Sequence, residues 1–369
     1  MDESVYKELK KGGFMRQIQN NKFSLRIRIV GGQLQSEQTR KVSEIADRYG
    51  HGYIHMTSRQ GIEIPFIDFN DVDAVKKELA EVGLQPGACG PRVRTVTACQ
   101  GSAICGSGLI ETSGLAKELD AKYFGRDLPH KFKIGITGCR NNCLKAEEND
   151  LGIKGGLFPE WHGENCTYCG VCAAACPEKA IRVGRGPDSL AFDEAKCVYC
   201  GKCVKSCPAD AWSGKSGYIT TFGGTFGNDM AFGKPMLPLI TEKKKLFRVV
   251  DADHLLRRAW KAGRAFPPDD RTRGRGQTER KAGGGKQMSR PKYDAFVDIT
   301  DVVCPITFVK TKVALEELGK GQSLQIRLND GEPIQNIPRS LKNEKHKVVE
   351  VVQNDDGTYL IGVVKGGLE

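Results

Sequence analysis

Two runs of four cysteines share one spacing, C-x2-C-x2-C-x3-C-P. Cys166, Cys169, Cys172 and Cys176 precede Pro177, and Cys197, Cys200, Cys203 and Cys207 precede Pro208. With this spacing a chain holds two iron–sulfur clusters, the fourth cysteine of each run serving the other cluster. Upstream, Cys99 and Cys105 (TACQGSAIC) form a C-x5-C, and Cys139 and Cys143 (GCRNNC) a C-x3-C. These four thiolates suffice for a third cluster. A structural zinc site is the alternative for them, although zinc ribbons usually step C-x2–4-C. Three clusters would equip the chain to move several electrons. Two of the fourteen cysteines stand outside these sets. Cys89 (GACGPR) reads as a buried or idle thiol, and Cys304 precedes Pro305.

The elements that must position these residues follow from periodicity. Phe23–Ile29 alternates apolar and basic residues, as a half-buried strand does. SEQTRKVSEIADRYG reads as a helix with Ser36 as N-cap and Gly50 as its stop. Strands around Tyr53–Met56 and Ile62–Phe66 follow, then a helix from Asp71 to Val82 ending at Gly83. Strand–helix–strand–strand–helix is most of a ferredoxin-like α+β unit. A second α+β segment begins near Pro91, with a helix around Gly114–Tyr123 and a strand at Phe132–Ile136. The eight-cysteine module at 160–210 interrupts it, and Tyr218–Gly224 reads as the strand that rejoins it. Residues 293–367 read strand, helix, strand, helix, strand, strand.

The net charge is +11, but residues 254–290 hold eleven Lys or Arg against three Asp or Glu, or +8 of that total. With Pro267, Pro268 and the Gly283–Gly285 triplet, this stretch reads as a linker rather than a nucleic-acid surface. No run of eighteen apolar residues occurs, so no membrane span is expected. MDESVYKELKKGGF lacks the order of a signal peptide, which points to the cytoplasm and to reduced cysteines.

The C-x5-C and C-x3-C sets, with GG-x-x-G downstream (Gly223, Gly224, Gly227), resemble the siroheme sulfite and nitrite reductase family over about residues 15–240. The eight-cysteine insertion resembles that of the dissimilatory and anaerobic sulfite reductase subunits. The resemblance implies siroheme plus three [4Fe–4S] clusters, with Cys143 bridging one cluster to the siroheme iron. Siroheme carries eight carboxylates and sulfite is a dianion, so such a site needs guanidinium and ammonium groups. It implies Arg59 (TSRQGIEI) and Lys131 and Lys133 (LPHKFKIGI) as the groups that hold the anion and deliver protons. The alternation in KFK puts both lysines on one face of a strand. Arg92 and Arg94 (PRVRTV) would grip siroheme carboxylates, and Gly223, Gly224 and Gly227 would let backbone approach the macrocycle. The bland alternatives are solvated surface charges and a glycine-rich hairpin. After Leu246 the chain departs from the family, its helical periodicity dissolving into the basic linker.

ITDVVCPITFVKTKVALEELGKGQSLQIRLNDGEP resembles the TusA-like sulfur carriers. Cys304 would sit at the positive end of a helix dipole, which favours a thiolate able to carry persulfide sulfur. Thr307 replaces the family's second proline. An inert adaptor with a helix-capping cysteine is the alternative.

The expected architecture is α+β. A ferredoxin-like half-domain (1–88) precedes a siroheme and [4Fe–4S] reductase domain (89–250) carrying an inserted bacterial ferredoxin module (160–210). A basic linker (251–291) and a two-layer α/β TusA-like domain (292–369) follow. The expected function is multi-electron reduction of sulfite towards sulfide, drawing on a low-potential electron-donor protein. Nitrite reduction is one alternative, and a non-catalytic electron-transfer or sulfur-delivery protein is another. Only one copy of the catalytic cysteine set is present. A homodimer, a higher oligomer or a homologous second subunit would supply the missing half.

Overall fold

A computed structural model describes residues 2–184, 186, 189–227, 230–235, 237–259, 293–301 and 306–366. It comprises two compact units, Met1–Leu246 and Phe247–Glu369.

The first unit opens with α1 (Glu3–Lys11), β1 (Phe14–Arg16), β2 (Lys22–Ile27), α2 (Ser36–Tyr49), β3 (His55–Met56), β4 (Ile62–Asp68) and α3 (Val72–Glu81). The sheet order is β1-β2-β4-β3, antiparallel throughout. Alternation along β2 sends Phe23, Leu25 and Ile27 inward, where they pack with Val42, Ile45, Val75 and Leu79 from α2 and α3. The cap of α2 differs from the sequence expectation. Ser36 is already helical, and the backbone N–H of Gln35 is held by the Gln38 side chain at 3.0 Å.

The second layer holds β5 (Thr97–Ala98), α4 (Ser113–Tyr123), β6 (Ile134–Thr137) and β7 (Leu151–Trp161). β5 and β6 run parallel, as do β6 and β7, while β7 and β10 form an eleven-residue antiparallel pair, β10 being Trp212–Phe222. The cysteine-rich module leaves from the end of this hairpin: α5 (Val171–Ala175), β8 (Ile181–Val183), β9 (Leu190–Phe192) and α6 (Lys202–Ser206). An insertion at a hairpin end leaves the parent sheet unbroken, which is the physical reason it is tolerated. β11 (Lys234–Pro235) pairs with β10 at the sheet edge.

Buried Asp120 of α4 ties the two layers together. It accepts from Arg28 Nε at 2.7 Å and from the Val96 N–H at 2.8 Å. Burial raises its pKa, while these two donors offset part of that rise.

Helicity does not dissolve at Leu246, contrary to the sequence reading: α7 runs Lys243–Ala259. The second unit continues with β12 (Ala295–Asp298), α8 (Ile306–Glu316), β13 (Ser323–Leu328), α9 (Glu332–Asn343), β14 (Lys347–Gln353) and β15 (Tyr359–Val364). Its sheet order is β12-β13-β15-β14, with β12 and β13 parallel. Cys304 and most of the basic linker lie outside the described residues.

Candidate active site and cluster cages

Parallel pairing of β5 and β6 dictates where the first cysteine set gathers. Both strands end at the same side, so Cys99 follows β5 directly above Cys139, which follows β6 after Gly138. The Cys99 N–H donates to Ile136 O at 3.0 Å, and the Gly138 N–H points at Cys99 Sγ at 3.0 Å. A Cβ at Gly155 on β7 would collide with the Gly138 carbonyl, so only glycine lets this loop seat on the sheet. Thr112 Oγ1 donates to the Cys99 carbonyl at 2.5 Å. The Cys105 N–H closes a turn onto Gly101 O at 2.8 Å. Asn142 accepts from the Ala146 N–H at 2.9 Å and donates to Glu147 at 3.0 Å, which folds the chain after Cys139 and leaves Cys143 exposed.

The opposite ends of these strands border a cleft of about 300 Å³. Arg26, Arg59, Arg94, Lys131 and Lys133 all line it, with Glu63 as the acid among them, ion-paired to Arg26. Arg59 comes from the turn between β3 and β4. Its guanidinium donates to Asn149 Oδ1 at 2.7 Å and to Thr95 O at 3.1 Å. Neighbouring Gln60, at φ +59°, both donates to and accepts from the Ala98 backbone, at 2.8 and 3.0 Å. The turn of the first layer is thus fastened one residue before Cys99.

Lys131 and Lys133 flank buried Phe132, so both face the cleft, from an extended segment that precedes β6 rather than from the strand itself. Lys133 Nζ donates to Phe226 O at 3.0 Å. Crowding sets the acidity of these groups. Burial pushes Arg59 down to about 10, against the pull of Asp150 and with the repulsion of Arg94. Burial also lowers Lys133, helped by the charges of Arg59 and Lys131.

The structure does not bring every expected residue to the cleft. Arg92 pairs with Asp127 at 2.7 Å and is absent from the cleft wall, because its side chain follows the bridge between these two segments. Arg94 does line it, with two N–H groups held by Ala88 O at 2.6 Å and Gly90 O at 3.0 Å. Gly224 makes a close approach to the Glu147 and Asn149 carbonyls, a packing role within the protein. Gly223 turns the chain at φ +80°, and Gly227 lies beside Lys131 Nζ. Arg26 was missed in the sequence. Its signal was the alternation of FSLRIRI, which puts Arg26 on the face opposite the core. Buried Cys89 lies below it, with Arg26 Nη1 3.6 Å from its sulfur.

The eight remaining cysteines separate into two cages. One cavity is lined by Cys197, Cys200, Cys203 and Cys176, the other by Cys166, Cys169, Cys172 and Cys207. Each cage therefore takes three cysteines from one run and the fourth from the other. Among the described residues, no group of three or more Cys, His, Asp or Glu converges on a single metal ion. Four sulfurs spread around one cavity suit a larger, multi-iron group. Burial raises the thiols of Cys172, Cys197 and Cys203, the last to about 12. Such thiols ligate as thiolates only when bound iron compensates their charge. The first cage rests against β7 and the loops that carry Cys105 and Cys139. Leu157 of β7 bridges Cys200, Lys205 Nζ donates to Gly106 O at 2.9 Å, and Glu178 reaches Arg140 at 3.4 Å.

Comparison with known proteins finds family likeness over most of the chain. Residues 15–82 match the nitrite/sulfite reductase ferredoxin-like half domain, 89–256 the nitrite and sulphite reductase 4Fe-4S domain, and 295–365 sulfurtransferase TusA. The match to 256 includes most of α7, so the family likeness extends past Leu246. The chain is 39% identical over 206 residues to the coenzyme F420-dependent sulfite reductase of Methanocaldococcus jannaschii, covering 56% of this chain and 33% of that one. It is 32% identical over 169 residues to one subunit of the anaerobic sulfite reductase of Salmonella typhimurium, covering 42% and 50%. The chain thus spans between a third and a half of these relatives. The solved structure of dissimilatory sulfite reductase I shares the fold at a TM-score of 0.51 and 18% identity, over 63% of this chain and 62% of that one.

Proposed function

By its residues 15–256 this chain belongs to the nitrite and sulfite reductase family, with a TusA domain following, and on that premise we propose that it reduces sulfite towards sulfide. Siroheme would lie at the basic cleft, coupled to a [4Fe–4S] cluster on Cys99, Cys105, Cys139 and Cys143. Two further clusters in the cysteine cages would pass electrons inward from a low-potential donor protein. The observation that carries the reading is the convergence of Arg59, Arg94, Lys131 and Lys133 on one cleft, from three separate segments.

The donor set fits an anionic macrocycle and an oxyanion. Arg59 and Arg94 each have part of their fork held by the protein, which orients the remaining N–H groups without reorganisation when an anion binds. When bound, siroheme would supply the multi-electron redox chemistry. The chain's own work is to hold the anion and move protons. Lys131 and Lys133 line the same cleft, and the lowered pKa of Lys133 makes its ammonium a readier proton donor than an ordinary lysine to an oxygen leaving as water. Twelve cluster-bearing cysteines would also require a reducing compartment. Cys304 is the candidate sulfur-carrying thiol of the TusA domain, and that domain favours sulfite over nitrite as substrate. The missing catalytic half would come from a second copy of the chain or a homologous subunit.

Anaerobically purified protein tests this. Siroheme absorption, with oxidation of reduced viologen on adding sulfite, is the expected result. Turnover of nitrite alone would shift the assignment to nitrite reduction. Clusters without siroheme would leave an electron-transfer or sulfur-delivery protein.

A further inference from the structure

The two cysteine runs repeat each other residue by residue at an offset of 31 positions. Tyr168 and Tyr199 share φ +54°, Gly170 and Gly201 both take left-handed backbone, and so do Lys179 and Asp210. Even the backbone bonds to sulfur repeat: the Ala180 N–H to Cys176 Sγ and the Ala211 N–H to Cys207 Sγ, each 3.3 Å. One residue later the positions still correspond but the side chains differ. Ile181 lines the cage of Cys176, Cys197, Cys200 and Cys203, whereas its counterpart Trp212 lines the other cage.

Trp212 is 3% exposed, and its Nε1 has no hydrogen-bond partner of ordinary geometry. A buried N–H left unsatisfied is costly, because its hydration is lost with nothing in return. This donor instead bears on the Cys172 sulfur, in the wall of a cavity ringed by four cysteines. Hydrogen bonds to cluster sulfurs stabilise the more negative, reduced state and so raise the potential. Ile181 can offer no such bond.

We propose that the indole N–H of Trp212 donates to a sulfur of the cluster held by Cys166, Cys169, Cys172 and Cys207, and holds that cluster at a higher potential than its twin. The step involved is a one-electron reduction by a low-potential donor, in which no bond forms or breaks. The inference rests on the reading that both cages hold [4Fe–4S] clusters, and not on siroheme or on the substrate.

The test uses the full chain, reduced anaerobically and labelled with 15N-indole tryptophan. Pulsed electron paramagnetic resonance should show a 15N coupling to one of the two ferredoxin-type clusters. That coupling should vanish in Trp212→Phe and survive in Trp161→Phe, whose Nε1 is also unsatisfied but does not line the cage. A redox titration of Trp212→Phe should move one couple down by about tenfold in its reduction equilibrium, or 59 mV for one electron, with the other unchanged. Ferredoxin-type signals without a tryptophan coupling in the wild-type protein would overturn the proposal alone, whether or not the variant folds. Absence of both signals from the reduced wild-type protein would overturn the cluster loading and the proposal with it.

Discussion

Within the cleft, the decisive quantity is how much positive charge the protein concentrates and at what pH it loses it. Four basic residues share the space with the Arg26–Glu63 pair, and each raises the cost of protonating the next. Burial and the neighbouring charges also weigh on Lys133, so as pH rises its charge is lost earlier than that of an ordinary lysine. Anion affinity in the cleft should therefore fall as pH rises, before an unperturbed lysine would titrate. In Lys133→Arg the guanidinium stays charged, and the fall should move to higher pH. Sulfite dissociation constants across the alkaline range check this, and identical profiles for the two proteins would exclude Lys133 as the titrating group. KFK, PRVRTV and TSRQG already pointed to the cleft. The loss of Arg92 to Asp127 did not show, because Asp127 stands 35 residues away.

Among the elements, the short parallel strands β5 and β6 do most of the positioning. They deliver Cys99 and Cys139 side by side at one end and present Thr95 and the two lysines at the other. Gly155 on β7 is the contact on which the Cys139 loop depends, since a methyl group there would displace the Gly138 carbonyl. Gly155→Ala should remove the cluster of Cys99, Cys105, Cys139 and Cys143 while both ferredoxin-type clusters persist, because their cages lie beyond the hairpin end. Iron content and the spectrum of the reduced protein distinguish the two cases. The helices and strands around this site were legible from apolar alternation and from glycine stops such as Gly83. The cap of α2 was not: glutamine is a weak capping residue, and only the folded turn puts Gln38 over Gln35 N.

On the proposed function, the chain as a whole would store electrons beside an anion site. Full loading predicts about twelve cluster irons per chain, four for each of three cages, with siroheme iron in addition. Iron and acid-labile sulfide assays on anaerobic protein check it; about eight cluster irons would mean that one cage stays empty. No helix among the described residues is long and apolar enough to cross a membrane. The order of the cysteines by itself pointed to iron–sulfur chemistry, because cluster ligation demands thiolates at fixed short spacings that survive as text. Apolar periodicity determined the α+β elements of the first unit. Only the tertiary structure decided which charges share a cleft, and that Arg26 joins them while Arg92 does not. It alone showed that Trp212 faces sulfur where its twin position holds Ile181. Those outcomes depend on contacts between segments far apart in the chain, which strand pairing and burial select and local spacing does not encode.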